Sequence, residues 1–143
     1  MKERMDDDCV DEWQICEPLT NYETFTKGQF LEDIERRLRQ FMLRCVKVCR
    51  TLPSDYDAAH FGHQLIRSSS STAANFRAVR RGRSKKEYFA KLSIVVEELD
   101  ESLFWLETLT LTGFIPEHRL ASLVNEGYQL LKILSKSRKT VSD

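Results

Sequence analysis

An all-α fold, an antiparallel up-down-up-down four-helix bundle, is what this sequence predicts, and three observations predict it. Gly and Pro are scarce, five and three residues in 143, which disfavours a sandwich or barrel of many short strands. Four stretches carry apolar residues at steps of three and four, the spacing of a single helical face. Between them stand Thr51-Leu52-Pro53, Arg81-Gly82-Arg83-Ser84 and Gly113-Phe114-Ile115-Pro116, each of which stops one helix and starts another.

Length and composition set the outer bounds. A chain of 143 residues is long enough for one continuous core without disulfide or metal staples, so a single domain is expected. Lys plus Arg equals Asp plus Glu at 22 each, so attraction to nucleic acid or to an anionic membrane has to be local. Cys9, Cys16, Cys45 and Cys49 follow no secretory leader pattern, which points to the cytoplasm. No apolar run approaches the ~20 residues that span a bilayer, so no membrane role is expected.

In chain order, residues 1–24 read as a flexible acidic arm. Asp6, Asp7, Asp8, Asp11 and Glu12 cluster there, around isolated Trp13 and Ile15 that could dock on the bundle or on a neighbouring subunit. Cys9 and Cys16 are too far apart for a CxxC pair. The bundle is assigned to 25–137. Its first helix places Phe30, Ile34, Leu38, Phe41, Cys45 and Val48 on one face and stops before Pro53, with Cys45 and Cys49 as small buried thiols.

The second helix follows Ser54-Asp55-Tyr56-Asp57, a weak capping box, and runs to about Arg81. Its middle, Ser68 to Ala74, is all small residues. The helical period continues on both sides of that run, so it is read as helix and not as linker, with Ser68, Ser71, Ala74 and Asn75 at a close helix contact. Gly82 is expected to cap this helix in the left-handed conformation, and Ser84 with Glu87 to box the next.

The third helix, about Lys85 to Thr112, carries a seam of Phe89, Leu92, Val96, Leu99, Leu103, Leu106 and Leu109. Gly113 ends it. Pro116 opens the fourth, which continues through Leu120, Leu123, Val124, Leu130, Leu131 and Leu134 to about Lys136, and residues 138–143 are expected to fray as a polar tail. Short connections make each helix antiparallel to the one before. Arg67 and Glu98 then lie at nearly the same distance from the turn at Arg83, with Glu101 one helical turn on, which predicts a buried ion pair among them.

No serine, cysteine or threonine has an activating base at a legible spacing, so no enzyme is expected and no catalytic residue is assigned. His60, His63 and His118 are scattered, and neither a metal nor a cofactor is expected. What stands out is charge. Arg77, Arg80, Arg81, Arg83, Lys85 and Lys86 surround one turn with only Glu87 against them, a pattern that serves either as a solvated bundle end or as a footprint for a phosphate backbone. Tyr88 and Phe89 adjoin it, with Phe89 assigned to the core seam. Ile66, Ile94, Trp105 and Phe114 fall off the main seams and would leave apolar surface on a monomer, which predicts self-association.

Gln64-Leu65-Ile66-Arg67-Ser68, Ser71, Ala74-Asn75, Ser84-Lys85-Lys86-Glu87-Tyr88-Phe89, Lys91-Leu92-Ser93-Ile94, Glu98, Glu101, Trp105-Leu106 and Gly113-Phe114-Ile115 together resemble the four-helix bundle family of 23S rRNA intervening-sequence proteins, over about residues 27–135. That family is related to the accessory protein of diversity-generating retroelements. The resemblance implies a homo-oligomeric ring, typically a pentamer, and through the retroelement branch an association with RNA or DNA and with a reverse transcriptase. It assigns no biochemical activity to the intervening-sequence branch. One departure stands at Arg77 and Ala78, where the family pattern usually has an acidic and then a small residue, and it makes the turn more basic.

Overall fold

The computed structural model describes residues 24–142, so the acidic arm, Thr24 apart, lies outside the described residues. Four helices follow in order, with no strand among the described residues: α1 (Lys27–Arg50), α2 (Tyr56–Arg80), α3 (Lys85–Leu111) and α4 (Glu117–Ser142).

Local chemistry explains most of these ends. Thr26 and Gln29 form a full capping box at α1: Thr26 Oγ1 accepts from the Gln29 amide at 3.2 Å, and Gln29 Oε1 accepts from the Thr26 amide at 2.9 Å. The box expected at Ser54 and Asp57 does not form. Asp55 holds the N-cap position of α2 without a side-chain bond, and Asp57 instead accepts from the neighbouring Ala58 amide at 3.0 Å. At α3, Ser84 Oγ accepts from the Glu87 amide at 3.1 Å, while Glu87 reaches one residue past Ser84 to the Arg83 amide, also at 3.1 Å.

Gly82 is not a left-handed cap. Among the described residues the only positive φ belongs to Gly113, at 81°, while the Gly82 amide closes an ordinary turn on the Val79 carbonyl at 3.2 Å. Gly113 donates to Thr110 and Phe114 to Leu109, the paired bonds of a Schellman end, which only a residue tolerant of φ > 0 completes without strain. The tail expected to fray from residue 138 is helical to Ser142. No Gly or Pro interrupts it, Ser137 and Thr140 bond back to the carbonyls of Ile133 and Lys136 at 3.0 Å, and Lys139 suits the negative end of the helix dipole.

The core forms where the four apolar stripes meet, around Leu38, Phe41, Leu65, Phe76, Leu99, Leu103, Leu106 and Leu130, each at most 1 % exposed. Phe89 is not part of it. Near the start of α3 it stands 38 % exposed, while Val95 and Ser102 are buried further along. Gly127 lets α4 come close: a Cβ there would lie 2.6 Å from Leu103 Cδ2 and 2.9 Å from Phe41 Cε2.

Neighbouring helices are tied at several levels. Between α1 and α2, Cys49 Sγ donates to the Gly62 carbonyl at 3.4 Å, and Arg80 ion-pairs with Glu35. Between α2 and α3, Phe61 stacks on Trp105 and Ser102 Oγ donates to Ser68 Oγ at 2.9 Å. Between α1 and α4, Arg37 makes a forked pair with Glu126 at 2.8 and 3.0 Å, and Arg44 donates to Ser122 at 3.0 Å. Cys45 is fully buried and Cys49 partly so; burial pushes the Cys49 thiol up to about 11 and the Cys45 thiol higher still, which makes both poor nucleophiles.

Candidate nucleic-acid interface

The last turn of α2, the residues after it and the first turn of α3 bring the predicted basic residues to one end of the bundle. Arg77, Arg80, Arg81, Arg83, Lys85 and Lys86 are all exposed. Arg80 differs from the rest, because it reaches across to Glu35 of α1, a carboxylate that also lies 3.7 Å from Arg39. Among the described residues, Arg77, Arg81, Arg83, Lys85 and Lys86 have no carboxylate within ion-pair distance. Glu87, the one acid in the cluster, spends its oxygen on the Arg83 backbone amide.

Beside the turn an open groove of about 680 Å³ runs between α1 and α2. Its floor is small, with Ser70, Ala73, Ala74 and Ala78 of α2, and Arg39 and Met42 flank it on α1 while Arg77 and Arg81 continue it to the basic turn. Tyr88, and not the Phe89 assigned to the seam, is the ring that packs on the core. Tyr88 is half-buried against the core with the Lys27 ammonium 5.7 Å from its ring centre, and burial raises its hydroxyl pKa, whereas Phe89 is the more exposed ring.

Two expectations about α2 need correction. The close contact with α3 is made by Ser68, buried against Ser102, while Thr72 is buried one turn further on and Ser69 is buried beside Cys45 of α1. Ser71 is only half-buried and bonded by Asn75 Nδ2, at 2.9 Å through its carbonyl and 3.0 Å through its hydroxyl, and Ala74 is exposed on the groove floor. Arg67 does meet Glu98, at 3.2 Å, and Glu101, and it also donates to Gln64 at 2.9 Å. That network is not buried. Arg67 is 47 % exposed, because the serine contact occupies the line between α2 and α3 and the adjoining position falls on the rim.

Sequence reasoning missed the groove and the Ser102 contact. Ser102 interrupts the leucine period of α3 with a small polar residue, and that was the available signal. The groove depends on which side of α2 is left uncovered, for which a single helix carries no signal. Among the described residues no three His, Cys, Asp or Glu side chains converge to hold a metal ion, and no helix is long and apolar enough to cross a membrane.

Comparison with known proteins places this geometry. No curated protein matches the chain. A crystal structure of a protein of unknown function from the S23 ribosomal protein family of Bacteroides thetaiotaomicron VPI-5482 is similar at 26 % identity, with 74 % of this chain and 98 % of that one covered and a TM-score of 0.69. The pattern of the 23S rRNA-intervening sequence protein family matches residues 33–136, most of the chain and all four helices. This chain belongs to that family.

Proposed function

We propose that this protein is a non-enzymatic, cytoplasmic, oligomeric bundle of antiparallel up-down-up-down helices that binds the phosphate backbone of RNA or DNA through the α2–α3 turn. The observation that carries the reading is the unpaired charge. Five cations at one end lack carboxylate partners among the described residues, while Arg80 beside them and Arg36, Arg37, Arg39 and Arg67 elsewhere on α1 and α2 are each paired. Clustered Lys and Arg without internal partners bind phosphates by releasing counterions, whatever the net charge of the whole molecule.

The ties between helices support the antiparallel order: Cys49 meets Gly62 while Glu35 meets Arg80, and Phe61 meets Trp105 while Arg67 meets Glu98. Ile66 and Ile94, each 37 % exposed on α2 and α3, support self-association, with a ring such as a pentamer bringing the same turn of every subunit to one face. A second reading, docking of a protein such as a reverse transcriptase without nucleic acid, draws on Phe104 and Leu111, 57 % and 86 % exposed on another side of α3.

Replacing Arg77, Arg81 and Arg83 together by Gln tests the proposal, and it spares Arg80 with its Glu35 pair. Binding of RNA or DNA should be lost while light scattering shows the same oligomer. For the unaltered protein, affinity should fall steeply between about 50 and 200 mM salt, by roughly 0.9 in log K per log salt for each duplex phosphate neutralised. Binding that survives the triple change or ignores salt favours the protein-docking reading.

A further inference from the structure

Two aromatic rings stand near the start of α3, and one of them already has its surroundings. Tyr88 packs against the core with the Lys27 ammonium 5.7 Å from its ring centre. Phe89, one residue on, is 38 % exposed. The residues three and four before it are Lys86 and Lys85, and those spacings make all three neighbours on the helix surface. The open ring therefore adjoins two ammonium groups that have no carboxylate within ion-pair distance among the described residues. Further along the same helix Phe104, 57 % exposed, has Asp100, Glu101 and Glu107 at the corresponding spacings, which repel a polyanion from that ring. Phe89 and Phe104 thus suit partners of different charge.

The cations themselves do not share one side of the bundle end. Arg77 and Arg81 line the α1–α2 groove together with Glu87, whose carboxylate accepts from the Arg83 amide. Lys85 and Phe89 are each two residues from Glu87, so they stand about 200° round α3 from it. A nucleic acid that meets both sets has to bend round the α2–α3 turn, across little more than the roughly 8–10 Å between packed helix axes. A duplex, stiff over about 150 bp, does not follow so tight a path. A single strand does, and its unpaired bases are free to stack on an aromatic ring.

We infer that the ligand of the basic turn is a single strand of RNA or DNA, with a base stacked on Phe89, the flanking phosphates on Lys85 and Lys86, and the strand continuing over Arg83 to Arg81 and Arg77. The inference rests on the phosphate-backbone reading and adds a base contact and discrimination against duplex. Stacking tolerates any sequence, because every base has a π-face. Phe89 is then the residue that separates strand from duplex, and the cations are the residues that set the salt dependence.

Binding of the full chain to five probes of one length tests this: a single strand and a duplex, each as DNA and as RNA, and an abasic DNA strand that keeps every phosphate. The single strand should bind more tightly than the duplex, and loss of the bases should weaken it roughly 5- to 150-fold, the stacking of one base. Phe89→Leu should weaken single-strand binding by a similar factor, leave the abasic strand, the duplex and the salt slope as they were, and be rescued by Phe89→Trp. An abasic strand or a duplex that binds as tightly as the single strand overturns the inference, and neither comparison depends on how a variant folds. So does a Phe89→Leu protein that binds the single strand like its parent. In each of these cases steep salt dependence leaves the phosphate-backbone reading standing. Absence of binding to all five probes overturns both.

Discussion

The two sides of α2 carry side chains of the same size and meet opposite fates. On the inner side Ser68, Ser69 and Thr72 are buried, their hydroxyls bonded back to the carbonyls of Leu65, Ile66 and Ser68, and α3 comes close enough for Ser102 to reach Ser68 at 2.9 Å. On the outer side Ser70, Ala73, Ala74 and Ala78 form the floor of an open groove. Charge divides in the same way: Arg67, beside the inner contact, is held by Glu98 and Glu101, whereas Arg77 and Arg81, on the outer side, have no carboxylate within ion-pair distance among the described residues. Small residues therefore say only that a helix can be approached. Whether it is approached depends on what faces it, and on the outer side the small residues stay open beside cations without a carboxylate partner among the described residues.

The strongest way to sharpen this contrast is to enlarge one residue on each side. Ser68→Leu should overpack the α2–α3 contact, at a cost of roughly 1–3 kcal/mol, while the Ser102 hydroxyl keeps its bond to the Glu98 carbonyl. In a chain of this size that lowers the midpoint of thermal unfolding by about 3–10 °C. Ala74→Leu, on the open floor, should stay within about 0.5 kcal/mol of the parent. Equal losses for the two variants would break the comparison, because they would mean that a neighbouring subunit covers the outer side as closely as α3 covers the inner one.

The same contrast explains what could be read from the sequence. Four helices were legible because Ile34, Leu38, Phe41 and Cys45, and likewise Leu99, Leu103 and Leu106, repeat at steps that only a helix turns into one face. The stops were legible at Pro53 and Gly113, where one residue type excludes the alternatives. Gly82 misled, since a glycine permits the left-handed region without requiring it, and the turn there closes with negative φ. The basic residues were legible as a cluster, because they are contiguous in sequence. Which of them are already spent on a partner was not, since Glu35 lies 45 residues from Arg80 and only packing joins them. The choice of Ser71 and Ala74 over the buried Ser69 and Thr72 was an error of phase: one step around a helix moves a residue by 100°, and a run of small residues has no apolar marker to set the phase.

A smaller difference is expected between the arginines. Arg67→Ala removes a rim network open to water, and such pairs contribute about 0.2–1 kcal/mol after side-chain ordering and screening are counted. Arg77→Ala removes a cation with no partner within the bundle, so its effect on stability should be near zero while its effect on nucleic-acid binding is not. Urea midpoints for the two variants check this. A loss from Arg77→Ala as large as that from Arg67→Ala would show that Arg77 is paired in solution and would weaken its assignment to the interface.

Acid provides the finest test of the same pair. The hydrogen bond from Arg67 holds the Glu101 carboxyl below the ordinary carboxylate range, with a further contribution from the Trp105 indole N–H, which donates to Glu101 at 3.3 Å. A carboxyl whose folded pKa lies under its unfolded value of about 4.3 stabilises the fold at higher pH and loses that contribution as pH falls through the folded pKa. The gap between the parent and Arg67→Ala should therefore be fully present at neutral pH, begin to close below about pH 5, and be smallest once Glu101 is protonated. Glu101 is about one-third exposed, so screening keeps the whole effect within the small range of surface pairs. Arg77→Ala, with no carboxylate to titrate against, should follow the parent at every pH. A gap for Arg67→Ala that persists unchanged in acid would mean that Arg67 contributes by packing its stem against α3 and not by its charge.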